Sequence, residues 1–235
     1  VASQKVIGRI EAHVREALSA ERPVVDEPDL LIGHDYKHVD RVRRWALCIA
    51  RGEGIAELDL IEAAALLHDI GLAQLGPEQR GRHGEIGAEL ADAFLRENAL
   101  FSEDQVTRIT DAIRWHNAAD GGGVLGAILR DADKLDALGA VGLMRALTSK
   151  YHKPEYQPGH VQGETWGLPM AQFQARFADG TGIGPYIVDQ INFQISFYDE
   201  LHTATARRLG KPLVAVMRAF VHQLAAEITG PEGQE

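Results

Sequence analysis

The sequence predicts an all-α protein. Apolar residues recur at helical spacing along nearly the whole chain, and alternating apolar–polar runs bounded by turn residues, the mark of half-buried strands, are nearly absent. Helix start and stop signals punctuate this periodicity. Ile7, Ile10, Val14 and Ala17 line one face of a first helix, which the two prolines of "ERPVVDEPDLLIGHD" interrupt. A second helix is expected over 35–51, ended by Gly52 and Gly54; within it "RRWALCIARG" places Cys48 beside Trp45 and Ile49 on an expected core stripe. A third spans 57–69 with Gly71 as its stop, and "GPEQRGRHG" leads into a fourth carrying Ile86, Leu90, Ala93 and Phe94. Ser102 reads as the N-cap of a fifth, with Val106, Ile109 and Ile113 on one side. The glycine-rich "NAADGGG" separates that helix from one long helix expected over 124–150.

Between 151 and 184 the periodicity fails: "YHKPEYQPGHVQGETWGLPM" and "ADGTGIGP" are rich in Gly, Pro and aromatics. A long irregular loop is expected, either a lid using Tyr156, His160 and Trp166 or an exposed excursion. Two helices close the chain, one with Ile191, Ile195 and Tyr198, the other starting at Pro212 with Val216, Met217, Phe220 and Leu224. With no repeat and no linker in view, a single domain over 1–235 is expected, with a motif-bearing core over about 33–150 and C-terminal helices over 185–229.

A formal net charge of −10 argues against a general nucleic-acid or anionic-membrane surface, which needs clustered Lys and Arg, and leaves room for a small anionic ligand in a local pocket. The one cysteine cannot form an internal disulfide, which suits a reducing compartment. The first residues carry charges every few positions, with no apolar run resembling a signal peptide, and no segment is long enough to span a bilayer. A soluble cytoplasmic protein is expected, and a homo-oligomer stays open.

Several ionisable residues sit where apolar ones belong. His68 and Asp69 stand side by side in "AALLHDIGLA", at the end of an almost wholly apolar helix. In "ILRDADKLDALGAVGLM", Asp133 and Asp136 share a line with Leu129, Ala140 and Leu143. A buried carboxylate costs several kcal/mol unless a cation or hydrogen-bond donors compensate it. In "GHDYKHVDRV", His34 and His38 lie four apart on one face, with His38 in register with Val42 and Trp45; His116 continues the Val106–Ile109–Ile113 stripe and His83 opens the fourth helix. Taken alone, His83 or His116 reads equally as a capping or core histidine, and His34 as a solvent-facing one. As a set delivered by separate helices, His38, His68, Asp69 and Asp133 fit a metal site built inside a bundle.

These residues carry a family resemblance. "HVDRV" from His38, "LLHDIG" and "LRDADKLDALGAVGLMRAL" resemble the HD-domain metal-dependent phosphohydrolases, whose motif is a His, a His-Asp doublet and a distant Asp. The helix order and "FYDELHTATARRL" are similar to the bacterial YedJ- and YpgQ-like branch, over most of the stretch between residues 33 and 209. The resemblance implies a helical fold in which His38, His68, Asp69 and Asp133 hold one divalent cation, Mn, Fe, Co, Ni or Zn, with Mg admissible. It implies hydrolysis of a phosphoester or phosphoanhydride, with a small phosphorylated substrate, a nucleotide above all, as partner. Asp69 and Asp133 combine ligation with catalysis in this reading, and Asp136 is a further candidate base or supporting partner. His34, His83 and His116 are candidates for phosphate contact, leaving-group protonation or a second metal; Lys134, Arg41 and Arg145 are candidate phosphate cations. A cyclic-nucleotide phosphodiesterase with two ions and a non-catalytic nucleotide-binding helical protein are the alternatives. Relatives often carry a His before the late Phe-Tyr pair and a Lys after it, where this chain has Ser196 and Glu200.

Overall fold

A computed structural model describes residues 4–19, 33–75 and 77–230. The expected proline break of the first connection lies outside the described residues. Among the described residues the fold is all-α: α1 (Gln4–Ser19), α2 (Tyr36–Gly52), α3 (Leu58–Leu67), α4 (His83–Glu97), α5 (Glu103–Arg114), α6 (Gly123–Asp136), α7 (Gly139–Ser149), α8 (Met170–Ala178), α9 (Ile187–Ser196) and α10 (Ala204–Thr229). Short 3₁₀ segments cover Ile70–Gln74, Pro77–Arg82 and Phe197–Glu200. No helix is long and apolar enough to cross a membrane among these residues.

The chain divides into two compact units, the first made of Val1–Asp133 with His202–Ala206, the second of Lys134–Leu201 with Arg207–Glu235. The first unit is organised around α3, which packs against α1, α2 and α5. Leu60, Ile61, Ala63, Ala64, Ala65, Leu66 and Leu67 are all buried, so beyond Glu62 this helix is apolar all the way round because it meets protein there on every side. Its Leu and Ile side chains stabilise the fold by roughly 1.5–3 kcal/mol each, and its alanines let neighbouring helices approach closely. After Leu67 the helix loosens into the Ile70–Gln74 turn, which lies directly on α4: a Cβ on Gly71 would sit 2.3 Å from the His83 carbonyl oxygen and 2.7 Å from the Gly87 nitrogen. Only glycine fits there.

Local capping holds other site-bearing helices. The Asp35 side chain accepts from the His38 amide at 3.2 Å and so caps α2 one turn from that histidine. Ser102 and Gln105 form a reciprocal capping box on α5, as the sequence leads one to expect. Two buried charges tie α6 down. Arg130 donates to the carbonyls of Trp115 (3.2 Å) and Gly121 (2.7 Å), while Asp131 accepts from the backbone amides of His202 and Thr203, both at 2.8 Å, and from the Thr203 hydroxyl at 2.7 Å.

Four sequence expectations are corrected. The single helix over 124–150 is two, because the chain turns at Gly139, whose φ of +68° is left-handed and ends the run. The last helix does not start at Pro212 but runs through it from Ala204, where Thr203, fixed by Asp131, offers its hydroxyl to the Ala206 amide at 3.1 Å. Cys48 is exposed, since the buried face of α2 runs through Val42, Ala46 and Ile49 and leaves it turned outward. The 151–184 stretch is not wholly irregular, for it contains α8.

That stretch is tied to α9 within the second unit. The Ile187 and Val188 amides donate to the carbonyls of Pro154 and Glu155, and Asn192 donates to the Gln162 carbonyl at 2.8 Å. The fully buried Asp189 carboxylate accepts from the Thr165 hydroxyl (2.7 Å), the Thr165 amide and the Tyr186 amide. Replacing Asp189 by Ala strands those buried donors and is expected to lower stability by about 2–4 kcal/mol. A chemical-denaturation midpoint unchanged from wild type would show that the segment is not anchored by this carboxylate.

Candidate metal centre

Asp69 is almost completely buried and stands at the centre of a group of imidazoles, all within the first unit. Its Oδ2 lies 2.7 Å from His34 Nδ1, 3.3 Å from His38 Nε2 and 3.4 Å from His68 Nε2. Its Oδ1 lies 3.7 Å from both His83 Nε2 and His116 Nε2. Asp133, delivered by α6, places Oδ1 at 3.4 Å from His38 Nε2, and the two ring nitrogens of His38 and His68 stand 3.3 Å apart.

The orientation of three of these rings follows from their backbone. His68, His83 and His116 each contact the carbonyl oxygen three residues earlier through Nδ1: Ala65 at 2.8 Å, Arg80 at 2.7 Å and Ile113 at 2.6 Å. A carbonyl only accepts, so each Nδ1 carries the proton, and in the neutral ring each Nε2 presents a bare lone pair to the interior. His83 Nε2 and His116 Nε2 meet at 3.0 Å. Lone pairs and carboxylate oxygens facing one another at such distances are repulsive unless a proton or cation lies among them.

This donor set fits a divalent ion. Donor atoms bound at roughly 2.0–2.2 Å to one ion are themselves about 3 Å apart, and the His38–His68, His38–Asp69, His38–Asp133 and His68–Asp69 separations run from 3.3 to 3.4 Å. Among the described residues three ligand-competent groups emerge: His34 with His38 and Asp69, His38 with His68 and Asp133, and His68 with Asp69 and His116. Two imidazoles and two carboxylates suit transition-metal ions better than calcium.

The electrostatics agree. Burial works against the charged Asp69 carboxylate, yet the surrounding imidazoles of His68, His34 and His116 hold it well below the ordinary range. Asp133, half-buried, is likewise held low against the desolvation it meets there, chiefly by its contact with His38. His116 is raised, its Asp69 contact outweighing burial. His83 is pushed down to about 4 by burial and by the neighbouring His116 charge.

The structure thus gathers His34, His38, His68, Asp69, His83, His116 and Asp133 in one unit. It places Lys134 and Asp136 in the other, where Lys134 Nζ meets Glu200 at 3.2 Å and Asp136 receives Arg145 Nη1 at 2.8 Å. Arg41 is half-buried on α2. Sequence reasoning missed Arg80, whose carbonyl orients His83 and whose guanidinium Nη2 reaches His34 Nε2 at 2.8 Å. Nothing in the surface-like "GPEQRGRHG" marks that arginine. His68, His83 and His116 each stand at or just past the end of a helix or 3₁₀ turn, where Nδ1 reaches back to the carbonyl three residues earlier.

An all-α fold with a His/His-Asp/Asp centre defines a recognisable class. The HD-domain family model matches residues 35–138. YpgQ of Bacillus subtilis (strain 168) is 30% identical over 209 residues, 86% of this chain and 88% of that protein. The chain belongs to the HD-domain family. The crystal structure of YpgQ in complex with ADP superposes with a TM-score of 0.63 at 23% identity, covering 99% of this chain and 100% of that one. An HD-superfamily hydrolase of Bacillus thuringiensis gives a TM-score of 0.65 at 22% identity, covering 97% and 98%. The protein has the HD-superfamily hydrolase fold.

Neutral His83 carries a pH signature in the metal-free protein. Between about 6.5 and about 4 the unfolded chain takes up a proton that the folded ring refuses, so stability falls as pH is lowered through this window. In chelator, the denaturation midpoint of wild type is expected to drop more between pH 7 and pH 5 than that of His83→Gln. Equal drops would show that the fold does not hold His83 neutral.

Proposed function

We propose that the protein is a divalent-metal-dependent phosphohydrolase that cleaves phosphoester or phosphoanhydride bonds of nucleotides. The observation that carries this is the convergence of His38 Nε2 on the Asp69 and Asp133 carboxylates and of His68 Nε2 on Asp69, at 3.3–3.4 Å, with both rings buried and the His68 lone pair turned inward by its carbonyl contact. These four residues would hold the ion. When bound, such an ion acidifies a water near neutrality and withdraws charge from phosphorus. Asp69 and Asp133, both kept ionised, balance the ion's charge, and Asp133, whose side chain is 31% exposed, is the ligand placed to orient water.

A nucleotide substrate is supported by the ADP bound to YpgQ and by this chain's charge arithmetic: with a net charge of −10, an anion needs local cations. Lys134, adjacent in sequence to Asp133, is the proposed phosphate cation, and its pairing with Glu200 tempers that charge. Asp136, engaged by Arg145, is proposed to support the end of α6. A second reading, a two-ion phosphodiesterase, is favoured by one observation: His83 Nε2 and His116 Nε2 meet at 3.0 Å and both face Asp69 Oδ1.

Asp69→Ala is expected to abolish metal uptake and the release of phosphate or pyrophosphate from a nucleotide panel, read by metal analysis and product identification. Full metal content and turnover in that variant would overturn the proposal. One ion per chain in wild type supports the nucleotide hydrolase, whereas two ions together with cleavage of cyclic nucleotides support the diesterase. Glu200→Gln is expected to lower KM for a nucleoside triphosphate about 1.5–5-fold, on the scale of a partly exposed ion pair, with kcat little changed; an unchanged KM removes Lys134 from phosphate binding.

A further inference from the structure

His34 departs from the pattern of the other rings. His68, His83 and His116 spend their Nδ1 proton on a carbonyl and turn Nε2 inward, whereas His34 turns Nδ1 inward, at 2.7 Å from Asp69 Oδ2, and Nε2 outward, at 2.8 Å from Arg80 Nη2. A guanidinium only donates. His34 Nε2 therefore accepts, the ring proton sits on Nδ1, and His34 meets the buried carboxylate as a hydrogen-bond donor. In that state Nδ1 has no lone pair to offer an ion, although its position alone places it in a ligand-competent group.

The oxygen it touches is the one that matters. Asp69 Oδ2 is also the atom facing His38 Nε2 and His68 Nε2, so a donor on Oδ2 sets the rotation of the carboxylate between those rings. Arg80 fixes the Nδ1 tautomer of two rings with opposite results at Asp69: its guanidinium leaves His34 presenting an N–H inward, and its backbone carbonyl leaves His83 presenting a lone pair. Only the first depends on its side chain, so a truncation separates them.

Resting on the metal-centre reading above, we propose that Arg80 and His34 form a donor relay that positions the Asp69 carboxylate for metal binding, with His34 a positioning residue and not a ligand. Partners of metal ligands of this kind typically change affinity about 10–100-fold when removed.

The test titrates Mn²⁺ into the metal-stripped full-length chain by calorimetry, with metal-free melting temperature as the fold control. His34→Ala is expected to weaken Mn²⁺ binding about 10–100-fold with stoichiometry unchanged. His34→Asn, whose amide N–H stands near the lost Nδ1–H, is expected to restore most of it. Arg80→Ala is expected to weaken binding by a smaller factor, about 3–10-fold, in the His34 background, with Arg80→Lys recovering part of the loss. In the His34→Asn background, which lacks the ring Nε2, Arg80→Ala is expected to change nothing. A His34→Ala affinity within about twofold of wild type, or the loss of one whole ion per chain, overturns the positioning role, the latter making His34 a ligand. Equal effects of Arg80→Ala in both backgrounds overturn the relay. A wild-type chain that takes up no Mn²⁺ overturns the metal-centre reading and the relay together.

Discussion

The first unit is arranged around one buried carboxylate. Asp69 is almost completely buried, so its charge must be compensated by the groups around it. Its two oxygens face different partners, Oδ2 meeting His34, His38 and His68 while Oδ1 meets His83 and His116. These residues come from α2, the ends of α3 and α5, the start of α4 and the segment before α2, so satisfying one side chain constrains the placement of most of the unit. Asp133 adds a second negative group to the same ring of nitrogens, which imidazoles alone compensate poorly and a divalent ion compensates well.

Much of the supporting structure fixes directions. Nδ1–carbonyl contacts set three imidazole orientations before any ion arrives, which lowers the reorganisation that binding requires. The Asp35 cap holds the turn that carries His38, and the buried Arg130 and Asp131 hold the helix that carries Asp133. The close approach at Gly71 brings the start of α4, with His83, against the turn that follows Asp69. Each is a structural feature whose effect is felt at a ligand atom.

The second unit carries chemistry of a different kind. Lys134 and Arg145 each have an acidic partner, Glu200 and Asp136, so cationic charge there is moderated. The 151–184 segment, with its own helix and its buried anchor at Asp189, is a folded part of this unit, and any contact it makes with a substrate starts from an ordered scaffold.

The helical class and the core of the centre were legible in the sequence for one physical reason. His38, His68, Asp69 and Asp133 stand on apolar stripes, and an ionisable group in such a place demands a partner; the HD-family pattern in the same residues makes the demand specific. Cys48 was misread because a stripe inferred from Trp45 and Ile49 is too coarse to tell a buried face from the residue beside it. The break at Gly139 and the helix running through Pro212 escaped because each local signal is ambiguous: glycine can sit inside a helix, and proline can open one or interrupt one, until a neighbour such as the Asp131–Thr203 contact decides where the helix starts. By itself, then, the sequence determined which residues cannot be left alone. Tertiary structure decided how they are partnered: the proton on Nδ1 of His34, the arginine behind it, and the meeting of His83 with His116. Those depend on hydrogen bonds between segments distant in the chain, whose directions no local pattern encodes.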